Sequence, residues 1–326
     1  MEPSTVVAPS LPQDLLDHGV FAKVFGTDRL TLGLIAPIEA YPEGPMPTLA
    51  GHVDRVRLAE QAGFAAIWLR DIPFLDPGFG DAGQVFCPFA YAGYLAAVTS
   101  RISIGTAGIV LPLRNPIWVA KQATSVDQLL EGRFLLGLAS GDRPEEYPAL
   151  GVDFASRAEL YRESVDIIKA VVGETFPHHR SQRYGRLSGK LDLVPKPVSG
   201  RIPYIAIGRA GQDLDWLASN VDAWIWYGPE VSEFGAIVPH WRDLSPAGVV
   251  KPYGYGVMFD LLEDPDAPLQ PGRQLRVGRH ALIELLQRHQ TEGVSHVMLN
   301  MKPSRRAAEA VMAELAEHVI PLFPSL

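Results

Sequence analysis

Short apolar runs recur along the chain, each bounded by polar residues, glycine or proline. Their length and their content of β-branched and aromatic residues are typical of buried strands. Their nearly continuous apolar character favours a parallel sheet covered on both faces. On this basis we predict eight strands, at residues 30–37, 65–71, 102–110, 133–141, 202–208, 222–228, 253–260 and 295–301.

Helical patterns separate these runs. Gly63 and Gly132 each follow such a segment and Pro116 opens another, which are positions where helices commonly end and begin. Strands that alternate with helices eight times predict an α/β fold, a (β/α)8 TIM barrel, with a doubly wound open sheet as the alternative. The predicted helices cover residues 48–62, 85–99, 116–131, 157–172, 212–219, 231–244, 278–291 and 305–322.

The spacing of the strands predicts one barrel domain, residues 30–326, preceded by an N-terminal arm, residues 1–29. The interval between the starts of the fourth and fifth strands is about twice the first three intervals, and its excess, residues 173–201, is rich in proline, glycine and arginine. We interpret this excess as an ordered insertion. The arm segment at residues 18–26 is expected to pack across the bottom of the barrel.

Composition excludes several classes of partner. The 326 residues carry a net charge of −8 with scattered basic residues, which disfavours nucleic acid and anionic membranes. No apolar run could cross a bilayer and no signal peptide is apparent, so we expect a cytoplasmic protein. The single cysteine, Cys87, excludes an internal disulfide and is expected to be buried. No metal site is indicated, and a small molecule is the expected partner.

The loop after the fifth strand has the features of an anion site. Gly208 and Gly211 allow close approach of the backbone, Arg209 adds a cation, and a helix is predicted to begin at about Gln212. A phosphate would fit there. An ordinary turn with Arg209 in solvent is the alternative.

Carboxylates also follow several strands, at Asp71, Asp142 and Asp260. Two of them at a separation of about 5–10 Å could act as acid and base in glycoside hydrolysis. Single carboxylates after strands commonly cap the next helix instead.

One long segment carries a family resemblance. The sequence "IGTAGIVLPLRNPIWVAKQATSVDQLLEGRFLLGLASG", residues 104–141, resembles the bacterial luciferase-like monooxygenase family, and so do residues 59–71, 157–171 and 194–208. The resemblance implies the same barrel, with FMN or the related deazaflavin coenzyme bound at the carboxyl ends of the strands. It also implies a homodimer and a separate flavin reductase as partner.

The resemblance also implies roles for particular residues. It places a non-prolyl cis peptide between Ala107 and Gly108, in a bulge beneath the flavin ring; a trans peptide in a flat strand there would count against a flavin. It places the ribityl chain or phosphate near Ser140, and the phosphate at the loop formed by Gly208, Arg209, Ala210, Gly211 and Gln212.

The chain departs from the luciferases where their chemistry is most specific. Ile72 and Pro73 stand where the luciferase α-subunit has a histidine pair, and Ala139 stands where it has a reactive cysteine. Light emission from a long-chain aldehyde is therefore not expected.

The leading hypothesis is an FMN-dependent monooxygenase that uses reduced flavin and oxygen on a small organic substrate. Glu39, Arg70 and Asp71 are the candidates for substrate positioning or proton transfer. For Arg70 and Asp71 the alternative is an ion pair that shapes the rim. A deazaflavin-dependent hydride transfer and a non-catalytic flavin-binding barrel are the alternative functions.

Overall fold

The computed structural model describes residues 10–227, 230–246 and 248–325. Each predicted apolar run contains a strand, although the predicted strand at residues 102–110 is divided in two. The strands are β1 Thr31–Ile35, β2 Ala66–Leu69, β3 Ser103–Thr106, β4 Ile109–Val110, β5 Phe134–Ala139, β6 His178–Arg180, β7 Arg186–Ser188, β8 Tyr204–Ile207, β9 Ala223–Trp226, β10 Tyr253–Leu261, β11 Gln274–Val277 and β12 Val294–Asn300.

Helices follow the strands as predicted, with ends that differ by a few residues. Single 3-10 turns occur at Leu111–Leu113, Phe154–Ser156, Val231–Glu233 and Ile320–Leu322. The helices are α1 Gln13–Leu16, α2 Gly19–Val24, α3 His52–Ala62, α4 Pro88–Ala96, α5 Pro116–Leu129, α6 Glu146–Ala149, α7 Arg157–Gly173, α8 Leu214–Asn220, α9 Val238–Asp243, α10 Arg279–Glu292 and α11 Ala308–His318.

The strands close into a ring of parallel neighbours. The order runs β12, β1, β2, β3, β5, β8, β9 and β10, and β10 pairs with both β9 and β12. Closure excludes the open doubly wound sheet. The predicted (β/α)8 TIM barrel is confirmed.

Two aromatic rings and the glycines beside them fill the lower barrel interior. Trp68 on β2 and His296 on β12 are both fully buried. A Cβ atom at Gly105 would lie 2.5 Å from the Trp68 ring, and one at Gly33 would lie 2.8 Å from His296 Nε2. Neighbouring strands therefore need glycine at these positions to leave room for the rings.

His296 joins three strands through a defined tautomer. The Thr31 hydroxyl donates to the Val24 carbonyl at 2.6 Å, so its oxygen is left to accept from His296 Nδ1 at 2.7 Å. The Trp68 indole N–H donates to His296 Nε2 at 2.9 Å. The neutral ring, with its proton on Nδ1, makes both of these hydrogen bonds. Burial lowers the pKa of His296 to about 3.

The segment before β1 packs into the same interior. Phe21, Val24 and Phe25 are buried in one apolar cluster with interior residues such as Met298. The Phe25 ring centroid lies 5.5 Å from that of His296. This is the packing expected of residues 18–26, whereas residues 1–9 lie outside the described residues.

The segment expected to be an insertion, residues 173–201, contains the antiparallel hairpin of β6 and β7. The hairpin pairs His179 with Leu187, and Leu187 and Tyr184 pack against the main hydrophobic core. It therefore adds to the core without entering the barrel.

We expect Gly105→Ala to lower the free energy of unfolding by about 1–3 kcal/mol, because the added methyl group overpacks the Trp68 ring. The matched control is Gly93→Ala in α4, where a Cβ would lie 3.9 Å from its nearest neighbour, Leu129. Alanine there should be neutral or should stabilise the helix by about 0.5–1 kcal/mol. Urea unfolding measures both, and equal stability of the two variants would contradict the interior packing.

We expect acid to destabilise the protein through His296. Below about pH 6.5 the unfolded chain binds a proton at this residue that the folded protein does not bind until about pH 3. Each pH unit in that window therefore costs about 1.4 kcal/mol of stability. Urea unfolding from about pH 7 to pH 4 should show a shallower loss for His296→Gln than for the wild type. His280→Gln, at an exposed histidine, is the control and should lose stability with acid as the wild type does. If His296→Gln also follows the wild-type curve, His296 is not the source of the acid sensitivity.

Candidate active site

A cleft of about 940 Å³ opens at the carboxyl ends of the strands. This is the catalytic face of a TIM barrel. Its lining comes from β1, β2, β3, β5, β8, β9, β10 and β12, either from residues of the strand itself or from the segment that follows it. Of the residues predicted for the site, the cleft contains Arg70, Asp71, Ala107, Gly108, Ser140, Gly208, Arg209 and Ala210.

The floor of the cleft is made of small residues at the break between β3 and β4. Gly108 has a φ of 100°, and a Cβ on it would lie 2.8 Å from the Cβ of Ala139. The expected bulge is therefore present. The expected cis bond between Ala107 and Gly108 is wrong: that peptide is trans, and within the described residues the cis bonds are Ala36–Pro37 and Val194–Pro195.

The loop after β8 presents a cation to the cleft. A Cβ at Gly208 would meet no atom within 4 Å, so the backbone there faces open space. The Arg209 guanidinium lies 5.3 Å from the centre of the Trp226 ring. Among the described residues Arg209 forms no ion pair, which leaves its charge available to an anion.

The end of this loop differs from the prediction. Gly211 packs against Ala158, and the Gln212 side-chain amide donates to the Ala158 and Ala210 carbonyls at 2.9 Å, so neither residue lines the cleft. The helix begins at Leu214, and its amino end is capped by the Asp213 carboxylate. The anion site therefore depends on Arg209 and the turn, without the helix dipole.

Arg70 is held in a buried network. Its guanidinium donates to both Asp81 oxygens, at 2.7 and 3.2 Å, and the Tyr41 hydroxyl donates to the same carboxylate at 2.7 Å. Burial tends to raise the pKa of Asp81, but the Arg70 and Tyr41 hydrogen bonds outweigh it and lower the pKa below its usual value.

Asp71 has a different partner. It accepts from Arg114 Nε at 2.7 Å and Nη2 at 2.5 Å, and from the Val110 N–H at 3.1 Å. The expected alternative, an ion pair between Arg70 and Asp71, is therefore wrong. Both residues line the cleft, each neutralised by another part of the protein.

Glu39 does not line the cleft. Its carboxylate accepts from the Thr48 N–H at 2.8 Å and the Leu49 N–H at 3.0 Å, and it lies 3.5 Å from Arg55. It therefore braces the segment that leads into α3. This geometry gives it no contact with a ligand in the cleft.

The carboxylates do not form a glycosidase pair. Asp260 is bound to Arg276 at 3.1 Å and lies outside the cleft lining, and both oxygens of Asp71 are already bonded. Asp142 alone is exposed on the cleft wall.

Sequence reasoning missed two buried charged residues of this wall, Arg143 and Glu146. They follow β5, and the short helix α6 holds Glu146 against the cleft. Burial raises the pKa of Glu146 to about 7 despite the nearby Arg143. The segment "GDRPEEYP" was the available signal, because it places several charged residues directly after a barrel strand.

The structure also bears on the cysteine, on metal ligands and on membrane-spanning helices. Cys87 is exposed, contrary to expectation. Within the described residues there is no cluster of three or more potential metal ligands. No helix of the described chain is long and apolar enough to cross a membrane. Tyr227, which directly follows β9, also lines the cleft.

The sequence matches a known family. A family model described as luciferase-like monooxygenase matches residues 30–250. The chain belongs to the luciferase-like monooxygenase family. As a luciferase-like monooxygenase it is an oxidoreductase, which sets aside the non-catalytic barrel.

Among individual relatives and solved structures, some are named as monooxygenases and one as a coenzyme F420-dependent enzyme. A 4-hydroxyprotoasukamycin monooxygenase from Streptomyces nodosus subsp. asukaensis is 28% identical over 175 residues, 53% of this chain and 46% of that protein. Monooxygenase RslO1 from Streptomyces bottropensis has a TM-score of 0.74 at 15% identity, covering 90% of this chain and 99% of its own. A coenzyme F420-dependent tetrahydromethanopterin reductase from Methanopyrus kandleri has a TM-score of 0.69 at 14% identity, with the same coverage.

We expect Asp81→Asn to lower the free energy of unfolding by about 3 kcal/mol, because it leaves Arg70 without its buried counter-charge. Asp54→Asn is the control, since Asp54 forms an exposed pair with Arg57 at 3.7 Å and should contribute less than about 1 kcal/mol. Thermal or urea unfolding compares the two. A loss for Asp81→Asn no larger than the control would show that the network is unimportant.

Proposed function

We propose that this luciferase-like monooxygenase binds reduced FMN in the cleft and uses molecular oxygen to oxidise a small organic substrate. The observation that carries the proposal is a cleft floor of small residues with Arg209, which lacks an ion pair among the described residues, on the neighbouring loop. In a monooxygenation, one oxygen atom enters the substrate and the other leaves as water. Bound reduced flavin would supply the two electrons.

The residues of the cleft fit a planar cofactor with a phosphate. Ala107, Gly108 and Ala139 present no large side chain to a ring that lies on the floor. Ser140 and Gly208 lie beside this floor, and Arg209 supplies the positive charge that a phosphate requires. The trans peptide at Ala107 removes one expected family feature without closing this surface.

The protein's own tasks are to orient the ligands and exclude water. Asp81 holds Arg70, and Arg114 holds Asp71, so both side chains have a fixed position on the wall. We assign Arg70 and Asp71 to substrate positioning. Arg70 is a poor proton carrier, because its hydrogen bonds to Asp81 raise its pKa further above the usual value.

We expect the purified protein to bind FMN and perturb its visible spectrum. Arg209→Ala should weaken binding by about tenfold to a hundredfold, since a charge-assisted hydrogen bond contributes about 1.5–3 kcal/mol. Arg183→Ala, an exposed arginine of the insertion hairpin loop, is the matched control and should bind FMN as the wild type does. Absence of FMN binding, or equal binding by Arg209→Ala, would overturn the proposal.

A second candidate is hydride transfer with the deazaflavin coenzyme F420. Arg273 also lines the cleft, and it supplies a second cation that would suit a longer acidic tail. Titration with coenzyme F420 in parallel with FMN separates the two. Tighter binding of F420, weakened selectively by Arg273→Ala, would favour the second candidate.

The expected homodimer and flavin reductase remain proposals. Tyr94 on α4 and Trp118 and Leu129 on α5 are exposed apolar residues, with Trp118 66% exposed. Helices α4 and α5 pack beside each other, since a Cβ at Gly93 would contact Leu129. We propose this face as the dimer contact, and sedimentation of the wild type against Trp118→Glu tests it.

A further inference from the structure

Unsatisfied buried polar atoms gather on one wall of the cleft. Arg70 Nε, Arg143 Nη1 and Glu146 Oε1 are buried and have no hydrogen-bond partner within the described residues. All three residues line the cleft. Because a buried polar group without a partner costs free energy, such a concentration points to a ligand that supplies the missing bonds.

Arg143 is held rigidly at this wall. Arg143 is only 7% exposed. Its Nη2 donates to the Asp81 backbone carbonyl at 3.0 Å, and its guanidinium lies 4.3 Å from the centre of the Phe79 ring. These contacts fix the direction of the remaining N–H groups. Nη1 is left without a hydrogen-bond partner among the described residues.

The charge of Arg143 has no carboxylate partner among the described residues. The Asp81 carboxylate is bonded to Arg70 and Tyr41, and that of Asp71 is bonded to Arg114. Glu146 is near Arg143, but no ion pair within 4.0 Å joins them. A buried cation in this position favours an anion, and a carboxylate matches the guanidinium fork.

We propose that Arg143 and Glu146 form a binding subsite for a carboxylate on the substrate. Arg143 donates from its free Nη1, and Glu146 in its protonated form donates its O–H to the other carboxylate oxygen. The inference rests on the proposed function in taking this ligand to be the substrate. It adds the substrate class, a small organic acid.

This subsite is separate from the phosphate position expected at the Arg209 loop. Arg143 follows β5 and leans on Phe79 and the Asp81 carbonyl, which belong to the segment after β2. Arg209 follows β8 and leans on Trp226 of β9. The two cations therefore face the cleft from opposite sides of the β5–β8 pair.

Glu146 makes the subsite dependent on pH. The charged groups that act on its carboxyl are Arg143, which lowers its pKa, and Asp71, Asp142 and Asp76, which raise it. Burial is the largest influence and brings the pKa to about 7. Below that pH the protonated Glu146 donates to a carboxylate, and above it the ionised Glu146 repels one.

The test uses calorimetric titration of the full chain with benzoate, and with benzamide as its neutral analogue. The aromatic probe suits a cleft that contains Phe79, Trp226 and Tyr227. We expect benzoate to bind at least about tenfold more tightly than benzamide. Benzoate affinity should fall as the pH rises from about 6 to 8, a range in which benzoate stays ionised.

Variants locate the effect. Arg143→Gln should weaken benzoate binding by about tenfold or more, with partial recovery in Arg143→Lys, which restores the charge without the fork. Glu146→Gln should remove the pH dependence between about pH 6 and 8. The exposed neighbour supplies the control, since Glu145→Gln removes the same charge one residue away and should behave as the wild type does.

The outcomes distinguish this subsite from the proposed function. Equal binding of benzoate and benzamide, or benzoate binding lost in Arg209→Ala but kept in Arg143→Gln, overturns the subsite. FMN is titrated separately by its visible spectrum. Failure of FMN binding with benzoate binding intact overturns the cofactor and leaves the subsite, and the reverse result overturns the subsite alone.

Discussion

The barrel depends on how its interior is filled beneath the cleft. Trp68 and His296 meet through one hydrogen bond of 2.9 Å, and glycines on the neighbouring strands give their rings space. Larger side chains on those strands would force the ring of strands apart. The spacing of β1, β2, β3 and β12 beneath the catalytic face therefore depends on this packing.

The same constraint ties the N-terminal segment to the site. Phe25 packs on His296, and the Val24 carbonyl accepts the Thr31 proton that fixes the histidine tautomer. The apolar cluster that begins with these residues extends upward to Ile207, with Ala107 and Ala139 packed against it. The floor of the cleft is thus the upper surface of the interior packing.

Much of the fold was predictable because apolar periodicity reports burial directly. Every predicted barrel strand is present, and the small residues at Ala107 and Gly108 do mark a break in the third strand. The cis geometry came from the family resemblance, and nothing in the local sequence required it. The run of small residues predicted the break in the strand. Whether the peptide between Ala107 and Gly108 is cis or trans depends on tertiary contacts that the sequence does not display.

Side-chain partners were less predictable, for reasons that differ between residues. Arg70 and Asp71 lie just beyond the end of β2, and each pairs with a residue of a later segment, Asp81 or Arg114, which the local sequence does not display. Glu39 lies beyond the end of β1, where the course of the loop decides its direction. Arg143 and Glu146 were missed because α6 has four residues, too few to show a helical period.

The pattern of pairing explains how one cleft can handle two ligands. If every charged side chain of the cleft were in an ion pair, the cleft would bind apolar molecules without orienting them. If none were, the charges would bind water and salt ions. Here Arg70 and Asp71 are neutralised by Asp81 and Arg114, while Arg209 has no ion pair among the described residues. Neutral pairs give the wall rigidity, and among the cleft cations without an ion pair in the described residues, which include Arg143 and Arg273, Arg209 marks where the phosphate must lie. A cofactor anchored by its phosphate at that point extends across the uncharged floor, which leaves the opposite wall to orient the substrate.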